Sequence, residues 1–203
     1  MSSHSARKSL FLFRQRLSGK VSFIHINKCG GTSVEAAMGI PKIHDTARER
    51  VARISPARWR QMYTFGLVRH PYSRMCSYYE YSVKMGFTGL SDRHLDVNGW
   101  IAKVFVERDY AYRNKPKMFL SCVDWLADWN GDLWVDDWFK LEELDEKWPV
   151  IKDRARISGE LPRKNTTAGF SADKALEKLT QASVDALNTA FAEDFARFGY
   201  HKA

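Results

Sequence analysis

Residues 27–33 read Asn-Lys-Cys-Gly-Gly-Thr-Ser and stand between an apolar run and a helical pattern. The apolar run at 21–26 predicts a buried strand, and a helix is predicted over 32–39. The first amides of a helix have no partner within it, and its dipole favours negative charge at that end. A glycine pair alone would indicate only a tight turn, but a lysine and two hydroxyls beside it favour a phosphate site. The residues assigned to this site are Lys28, Cys29, Gly30, Gly31, Thr32 and Ser33.

A second apolar run, at 63–68, ends at an arginine and repeats this arrangement. A helix is predicted to begin around Pro71, and Ser77 lies on it about two turns from its start. Arg69 at the strand end and Ser77 could clasp a phosphate from two sides, because a guanidinium binds oxyanions through two hydrogen bonds. Arg74 is a further candidate, although a solvated helix face is the favoured interpretation for it. Two phosphate sites at one sheet edge suggest a nucleoside 3′,5′-bisphosphate.

Strands alternate with helices along the rest of the chain. A third strand is predicted at 133–141, so the fold class is α/β, a three-layer parallel sheet flanked by helices. Right-handed crossovers place the carboxyl ends of all strands at one edge, where ligands of such folds bind. Further helices are predicted from Ser55 to Met62, around Pro149, and at 72–86, 100–108, 115–129 and 171–198.

Composition limits the class of protein. The 203 residues are expected to form a single domain over 1–203, with a basic lead-in at 1–19. A net charge of +8 favours an anionic partner, or else only a basic surface. Three separated cysteines make no disulfide framework, so a reduced, cytoplasmic protein is expected. No run approaches the roughly 18 apolar residues of a membrane span, so no stable membrane insertion is expected. The short run SLFLF near the N-terminus is interpreted as a docking segment.

The two phosphate motifs together resemble those of the sulfotransferases that use 3′-phosphoadenosine 5′-phosphosulfate (PAPS). FIHINKCGGTSVEAAMG is similar to the 5′-phosphosulfate loop His-Ile-Pro-Lys-x-Gly-Gly-Thr-Ser of the carbohydrate branch, which includes the heparan sulfate 2-O and 6-O enzymes. FGLVRHPYSRMCSYY resembles that branch's 3′-phosphate segment, Val-Arg-(Asp/Asn/His)-Pro-(aromatic or Leu)-x-Arg-x-x-Ser-x-Tyr. DDWFKLEELDE, LPRKNTT and FAEDFARFGY are similar to later elements of the family. The resemblance covers nearly the whole chain from residue 20 and implies a P-loop NTPase-like sulfotransferase fold.

The chain departs from the family pattern at four positions. Asn27 replaces the usual proline and Cys29 the usual threonine or valine, and both changes leave the phosphate donors in place. Lys140 stands where the family often has arginine, and Phe191 replaces a tyrosine. The membrane anchor of the eukaryotic members has no counterpart here, so the resemblance is to a compact bacterial form.

The resemblance implies transfer of a sulfuryl group from PAPS, as co-substrate, to an acceptor hydroxyl or amine without a metal. Lys28 would stabilise the leaving phosphate oxygen, because charge develops there in the transition state. Thr32 and Ser33 would bind the 5′-phosphate, and Arg69 and Ser77 the 3′-phosphate. Arg163, in the LPRKNTT segment, is also assigned to the nucleotide.

An acceptor hydroxyl also needs a general base. His44 in IHDTARER matches a His-x-(Thr/Ser)-Ala-Arg-like segment of the family and is the first candidate. Glu35, on the helix after the glycines, is the second. His25 is expected to be packed within a strand, and His70 is expected to point away from Arg69.

The acceptor is expected to be a glycan, with a lipid, a small metabolite or a protein tyrosine as alternatives. Basic and aromatic residues in 84–114 suit an anionic sugar, although an ordinary solvated helix face is slightly favoured there. These residues are Lys84, Arg93, His94, Trp100, Arg108, Tyr110, Tyr112 and Arg113.

Two other functions stay open. LWVDD at 133–137 resembles the apolar run and aspartate that hold Mg²⁺ in P-loop kinases. The kinase loop, however, has its lysine after the glycines, whereas Lys28 precedes them. A non-enzymatic nucleic-acid binder suits the charge, but the sequence contains no RNA-binding aromatic motif, KH loop or zinc finger.

Overall fold

The computed structural model describes residues 3–113, 115–162 and 171–203. The described residues form an α/β fold with one parallel sheet, in the order β1 (Val21–Ile24), β2 (Tyr63–Val68) and β3 (Asp137–Lys140). The parallel pairing brings the carboxyl ends of the three strands to one edge, as the sequence predicts. β2 has its predicted bounds, whereas β1 and β3 are shorter than predicted.

The register of the sheet places Ile24 opposite Gly66 and Val68 opposite Lys140. A side chain at Gly66 would lie 2.7 Å from Leu126, so this glycine allows Leu126 to pack directly on β2. The described helices, in chain order, are α1 (Ser3–Ser18), α2 (Gly31–Met38), α3 (Ala47–Ile54), α4 (Pro56–Trp59), α5 (Pro71–Lys84), α6 (Val97–Ile101), α7 (Cys122–Leu126), α8 (Leu144–Ala155), α9 (Ala172–Leu176), α10 (Gln181–Ala190) and α11 (Ala192–Phe198). Shorter 3₁₀ segments cover Phe87–Asp92, Tyr110–Tyr112, Pro116–Phe119 and Leu141–Glu143, and a π-helical segment covers Ala102–Val106.

The described chain falls into two compact units. The first contains residues 3–68 and 122–162 and holds the sheet; the second contains residues 69–121 and 171–203 and is helical. A single sulfotransferase domain over 1–203 stays a prediction. Within the described ranges, no helix is long and apolar enough to cross a membrane.

Local capping signals explain the short helices of the first unit. Gly39, in the left-handed conformation, ends α2 as predicted, and the Ser55 hydroxyl caps α4 by accepting from the Arg58 amide. α4 ends at Trp59, three residues before its predicted end. α3 has no counterpart among the predicted helices, although Thr46 and Glu49 form a complete capping box at its start.

In the second unit, the prediction of one helix over 171–198 is wrong, because α9, α10 and α11 divide this range. Thr180 has an extended backbone and caps α10 through the Ser183 amide, so it cannot continue α9. The ends of the range are correct, with Ser171 as the cap of α9 and Gly199 after α11. The predicted helix over 115–129 is likewise divided, because Leu120 is extended.

Candidate functional site

The glycine turn joins β1 to α2 in the first unit. Lys28 and Gly30 both adopt the left-handed conformation, with φ values of 65° and 75°. The Cys29 amide donates a hydrogen bond to the Ile26 carbonyl at 3.4 Å, and α2 begins at Gly31. The chain therefore has the strand, turn and helix start that an anion site requires.

The side chains assigned to this turn differ in their access to solvent. Thr32 is exposed, and Lys28 and Ser33 are half-buried. Cys29 is fully buried, and its sulfur lies 3.6 Å from the Asn27 carbonyl oxygen, to which the thiol donates. The Cys29 side chain therefore belongs to the core and does not face a ligand at this turn.

Both glycines of the turn also have a packing role. A Cβ atom at Gly31 would overlap the imidazole of His25, and one at Gly30 would overlap the side chain of Leu141. Gly30 additionally needs its positive φ, which a residue with a side chain adopts only at a cost. The glycine pair is therefore explained by close packing and by the positive φ of Gly30. An anion site at this turn is indicated instead by the flanking lysine and hydroxyl groups.

His25, Glu35 and His44 meet beside this turn. Nδ1 of His25 lies 2.8 Å from Oε1 of Glu35, and both side chains are almost completely buried. The Ile43 amide donates to the same carboxylate oxygen at 3.2 Å, and Nδ1 of His44 lies 3.1 Å from the carbonyl oxygen of His25. The imidazole rings of His25 and His44 are 4.2 Å apart between centroids. His25 is thus packed as predicted, one residue beyond the end of β1, and it connects the two candidate bases.

The contact with a carbonyl oxygen fixes the tautomer of His44. Only a protonated ring nitrogen can donate to that oxygen, so Nδ1 carries the hydrogen and Nε2 keeps its lone pair. Burial, and after it the neighbouring His25, lowers the pKa of His44 to about 4. The half-buried ring is therefore neutral at pH 7, in the form that accepts a proton.

The second unit contains the residues assigned to the other phosphate. Arg69 is buried, and its Nε donates to the Ser73 hydroxyl at 3.1 Å. Ser77 lies four residues after Ser73, so their hydroxyls share one face of α5. The structure thus brings Arg69 to the face of α5 that carries Ser77. Ser73 is not among the residues predicted from the sequence, although its spacing of four residues from Ser77 is a signal that identifies it.

Arg74 does not lie on a solvated helix face, and that interpretation is wrong. Its side chain is 1% exposed, and its Nη1 donates to the Leu120 carbonyl at 2.8 Å. The guanidinium carbon also lies 5.9 Å from the centroid of the Phe191 ring. Within the second unit, α5 packs against C-terminal helices, and this packing encloses Arg74.

The aspartates of LWVDD lie at the start of β3. Asp136 accepts from both the amide and the hydroxyl of Thr64, and Asp137 accepts from the Tyr63 hydroxyl at 2.7 Å. Tyr63 and Thr64 begin β2, so both carboxylates lie at the amino end of the strands. The glycine turn follows the carboxyl end of β1, at the opposite edge of the same sheet.

The residues assigned to the acceptor have separate environments. Trp100 is 1% exposed in the core of the second unit, so its ring cannot stack on a sugar. Arg93 and His94 each pair with a carboxylate at 2.7 Å, that of Glu80 and that of Asp92 respectively. The exposed members of the set are Lys84, Arg93, His94, Arg108 and Tyr110.

A pocket of about 270 Å³ opens in the second unit between α5 and α6. Both signs of charge line it, from Glu80 and Asp96 and from Arg93 and Lys178. Cys76 also lines it, and burial raises the pKa of this thiol to about 11. The thiol is therefore protonated at pH 7 and is a poor nucleophile.

Arg163, the remaining residue assigned to the nucleotide, lies outside the described residues. In the part of the chain that the structure describes, no three His, Cys, Asp or Glu side chains are grouped as metal ligands would be.

No family model, curated protein or solved structure matches this chain. The motifs and the geometry of the described residues therefore provide the basis for assigning a function.

Proposed function

We propose that this protein is a sulfotransferase of P-loop NTPase-like fold that moves a sulfuryl group from PAPS to an acceptor hydroxyl. The observation that carries the proposal is the turn after β1. It places left-handed Lys28 and Gly30 at the start of α2, within the motif that resembles the 5′-phosphosulfate loop. The α/β class and the parallel pairing of β1 with β2 agree with that fold.

The turn residues fit the sulfated end of the donor. The first amides of α2, from Gly31 and Thr32, point out of the helix start, where they can donate to phosphate oxygens. The hydroxyls of Thr32 and Ser33 add two further donors. Lys28 stabilises the phosphate oxygen that leaves as the sulfur–oxygen bond breaks, because negative charge develops there.

Arg69 and Ser77 are assigned the 3′-phosphate. Burial makes a guanidinium a strong anion partner, because its charge is poorly screened by water. Nε of Arg69 donates to the Ser73 hydroxyl, and this hydrogen bond helps to orient the planar guanidinium. Contacts with the 3′-phosphate would therefore make the protein bind PAPS more tightly than a nucleotide that carries only a 5′-phosphate.

His44 is the general base of the proposed reaction. Its Nε2 takes the proton of the acceptor hydroxyl as that oxygen forms its bond to sulfur, and adenosine 3′,5′-bisphosphate leaves. Glu35 is less suited, because its carboxylate is buried and contacts His25 and the Ile43 amide. Of the two candidate bases, His44 is the less buried, and its Nε2 carries the lone pair that would accept the proton.

The positions of the aspartates support a sulfotransferase over a kinase. A Mg²⁺-binding aspartate must lie near the phosphates, and therefore near the glycine turn. Asp136 and Asp137 lie at the other edge of the sheet, and both accept hydrogen bonds from β2. The acceptor is proposed to be a glycan or glycolipid, and the location to be the cytoplasm.

Calorimetry and sulfate transfer test the proposal. The protein should bind adenosine 3′,5′-bisphosphate more tightly than adenosine 5′-phosphate, and Arg69→Lys should shrink that preference because lysine loses the bidentate geometry. Lys28→Ala should lower transfer of labelled sulfate to an acceptor panel by about 10²–10³-fold. Lys20→Ala, at an exposed lysine of the same unit, is the matched control and should leave transfer unchanged.

Three outcomes would overturn the proposal. The first is the absence of any binding heat with adenosine 3′,5′-bisphosphate. The second is magnesium-dependent turnover of ATP, which would indicate a kinase. The third is oligonucleotide binding that falls steeply with salt and that the bisphosphate does not compete away, which would indicate a nucleic-acid binder.

A further inference from the structure

Helix α1 exposes a row of large apolar side chains. Leu10, Phe13 and Leu17 are 51%, 59% and 63% exposed. Their spacing of three and four residues places them on one face of the helix. Large exposed apolar groups are usually scattered singly, so a row of three on one helix indicates a surface that contacts another body.

The opposite face of α1 is fixed to the first unit. Gln15 is buried, its Nε2 donates to the Val21 carbonyl at 2.8 Å, and its Oε1 accepts from Arg50 at 3.3 Å. Phe11 and Leu12 are half-buried on the same side. The fold therefore holds α1 in place and directs the apolar row away from the unit.

Positive charge surrounds the apolar row. The 16 residues of α1 include no aspartate or glutamate. Arg7, Arg14 and Arg16 are all exposed, and Lys20 follows just after the helix. An apolar row with flanking arginines matches a helix that lies in the plane of an anionic lipid surface, with its apolar side chains below the headgroups.

We propose that α1 docks this protein on anionic lipid membranes. A second copy of the chain would also cover Leu10, Phe13 and Leu17, but it would bring two helices without acidic residues together. Like charges would then repel across the contact, whereas lipid phosphates would pair with them. The lipid surface satisfies both the apolar and the charged groups of α1. This inference is independent of the sulfotransferase proposal.

Co-sedimentation of the whole protein with vesicles tests the proposal. Vesicles of phosphatidylcholine with phosphatidylglycerol should bind the protein, and vesicles of phosphatidylcholine alone should bind it much less. The triple variant L10N/F13N/L17N should lower the partition coefficient by about a hundredfold or more, because the apolar burial is lost. The triple variant R7Q/R14Q/R16Q should lower it by about a hundredfold, and added salt should reproduce this loss.

Matched controls use equally exposed groups elsewhere. W129N and V106N remove apolar side chains that are each 66% exposed, and R60Q with K84Q removes two exposed charges. These variants should bind the anionic vesicles as the unchanged protein does. The proposal is overturned if the α1 variants bind the anionic vesicles as well as the unchanged protein does. It is also overturned if the protein binds equally to vesicles with and without phosphatidylglycerol. A dimer that dissociates in L10N/F13N/L17N would also overturn it, in favour of a second copy.

Discussion

Nδ1 of His25 lies 2.8 Å from Oε1 of Glu35, at a contact that is almost closed to solvent. The same carboxylate oxygen accepts from the amide of Ile43, which precedes His44 in the chain. Glu35 therefore contacts both His25, whose carbonyl oxygen lies beside His44, and the backbone of Ile43, which leads to His44. This geometry gives Glu35 a positioning role for the proposed base.

Glu35→Gln should separate positioning from proton transfer. The amide oxygen can still accept from Ile43, but the charge beside His25 is lost, so we expect a fold that persists and a turnover reduced by about tenfold. His44→Ala should reduce turnover by about 10²–10⁴-fold, because it removes the group that accepts the proton. The measurement is kcat and KM for sulfate transfer at pH 7, together with bisphosphate affinity.

Exposed Glu146→Gln serves as the control and should change neither turnover nor affinity. Equal losses of turnover in Glu35→Gln and His44→Ala, with a normal fold in both, would contradict the positioning role and restore Glu35 as a candidate base.

The turn after β1 could be predicted from sequence because its signals are local. An apolar strand, a left-handed glycine and a helix start follow one another within a few residues, and the structure has this order. The capping box of Thr46 and Glu49 is equally local, so the start of α3 could also have been predicted from the sequence. The burial of Arg74 could not be predicted in this way, because it depends on contacts with Leu120 and Phe191, which are distant from it in the sequence.

The contact between His25 and Glu35 could not be predicted from spacing alone. Ten residues and a turn separate them, and their meeting depends on how α2 packs beside the end of β1. The position of His44 depends in turn on the path of the chain after Gly39. A tertiary contact of this kind sets the protonation of His44, whereas sequence indicates only that a histidine is present.

The pKa of His44 predicts how stability depends on pH. The ring binds a proton near pH 6.5 when unfolded and near pH 4 when folded, because burial disfavours its charge. Between these values the unfolded chain binds more protons, so the free energy of unfolding falls as pH is lowered from 6.5 to 4. The full shift corresponds to about 3 kcal/mol, and partial exposure reduces this to about 2 kcal/mol.

Urea denaturation at pH 7 and pH 4.5 measures this effect. His44→Ala should lose less stability between the two pH values than the unchanged protein does, whereas His201→Ala, at an exposed histidine, should lose as much. An identical loss in His44→Ala and in the unchanged protein would show that His44 is protonated as easily in the folded state. For sulfate transfer, the lowered pKa of His44 predicts an acid limb of kcat/KM near pH 4 rather than near pH 6.5.

Gly31→Ala should destabilise the first unit through the His25 ring. The new methyl group overlaps the imidazole, which cannot move without disturbing its contact with Glu35, so we expect a loss of about 1–3 kcal/mol. In a His25→Ala background the same substitution should cost clearly less, since the overlap is gone. Gly39→Ala is the control, because it has a positive φ and open space, and should cost about 1 kcal/mol. If the losses of stability in Gly31→Ala and His25→Ala simply add in the double variant, the new methyl group does not contact the His25 ring.

Arg50 and Arg53 offer a comparison of buried and exposed charge at one carboxylate. Nε of each lies near Oδ2 of Asp45, at 3.3 and 3.2 Å, but the side chains are 2% and 55% exposed. Arg50 also donates to Gln15 and to the Ser22 hydroxyl, and burial lowers its pKa. Arg50 therefore connects α1 and β1 to α3 within the first unit.

Arg50→Ala should lower the free energy of unfolding by about 3–5 kcal/mol, because it leaves the buried carboxylate of Asp45 poorly paired. Arg53→Ala should lower it by less than about 1 kcal/mol, because water already screens that guanidinium. Urea denaturation at pH 7 measures both, and near-ultraviolet circular dichroism reports whether tertiary packing persists. The two arginines share one acceptor atom, so they differ in burial and in the hydrogen bonds that Arg50 donates to Gln15 and Ser22. Similar losses in the two variants would mean that Asp45 is solvated once Arg50 is removed, and that the contact between α1 and α3 contributes little to the stability of this unit.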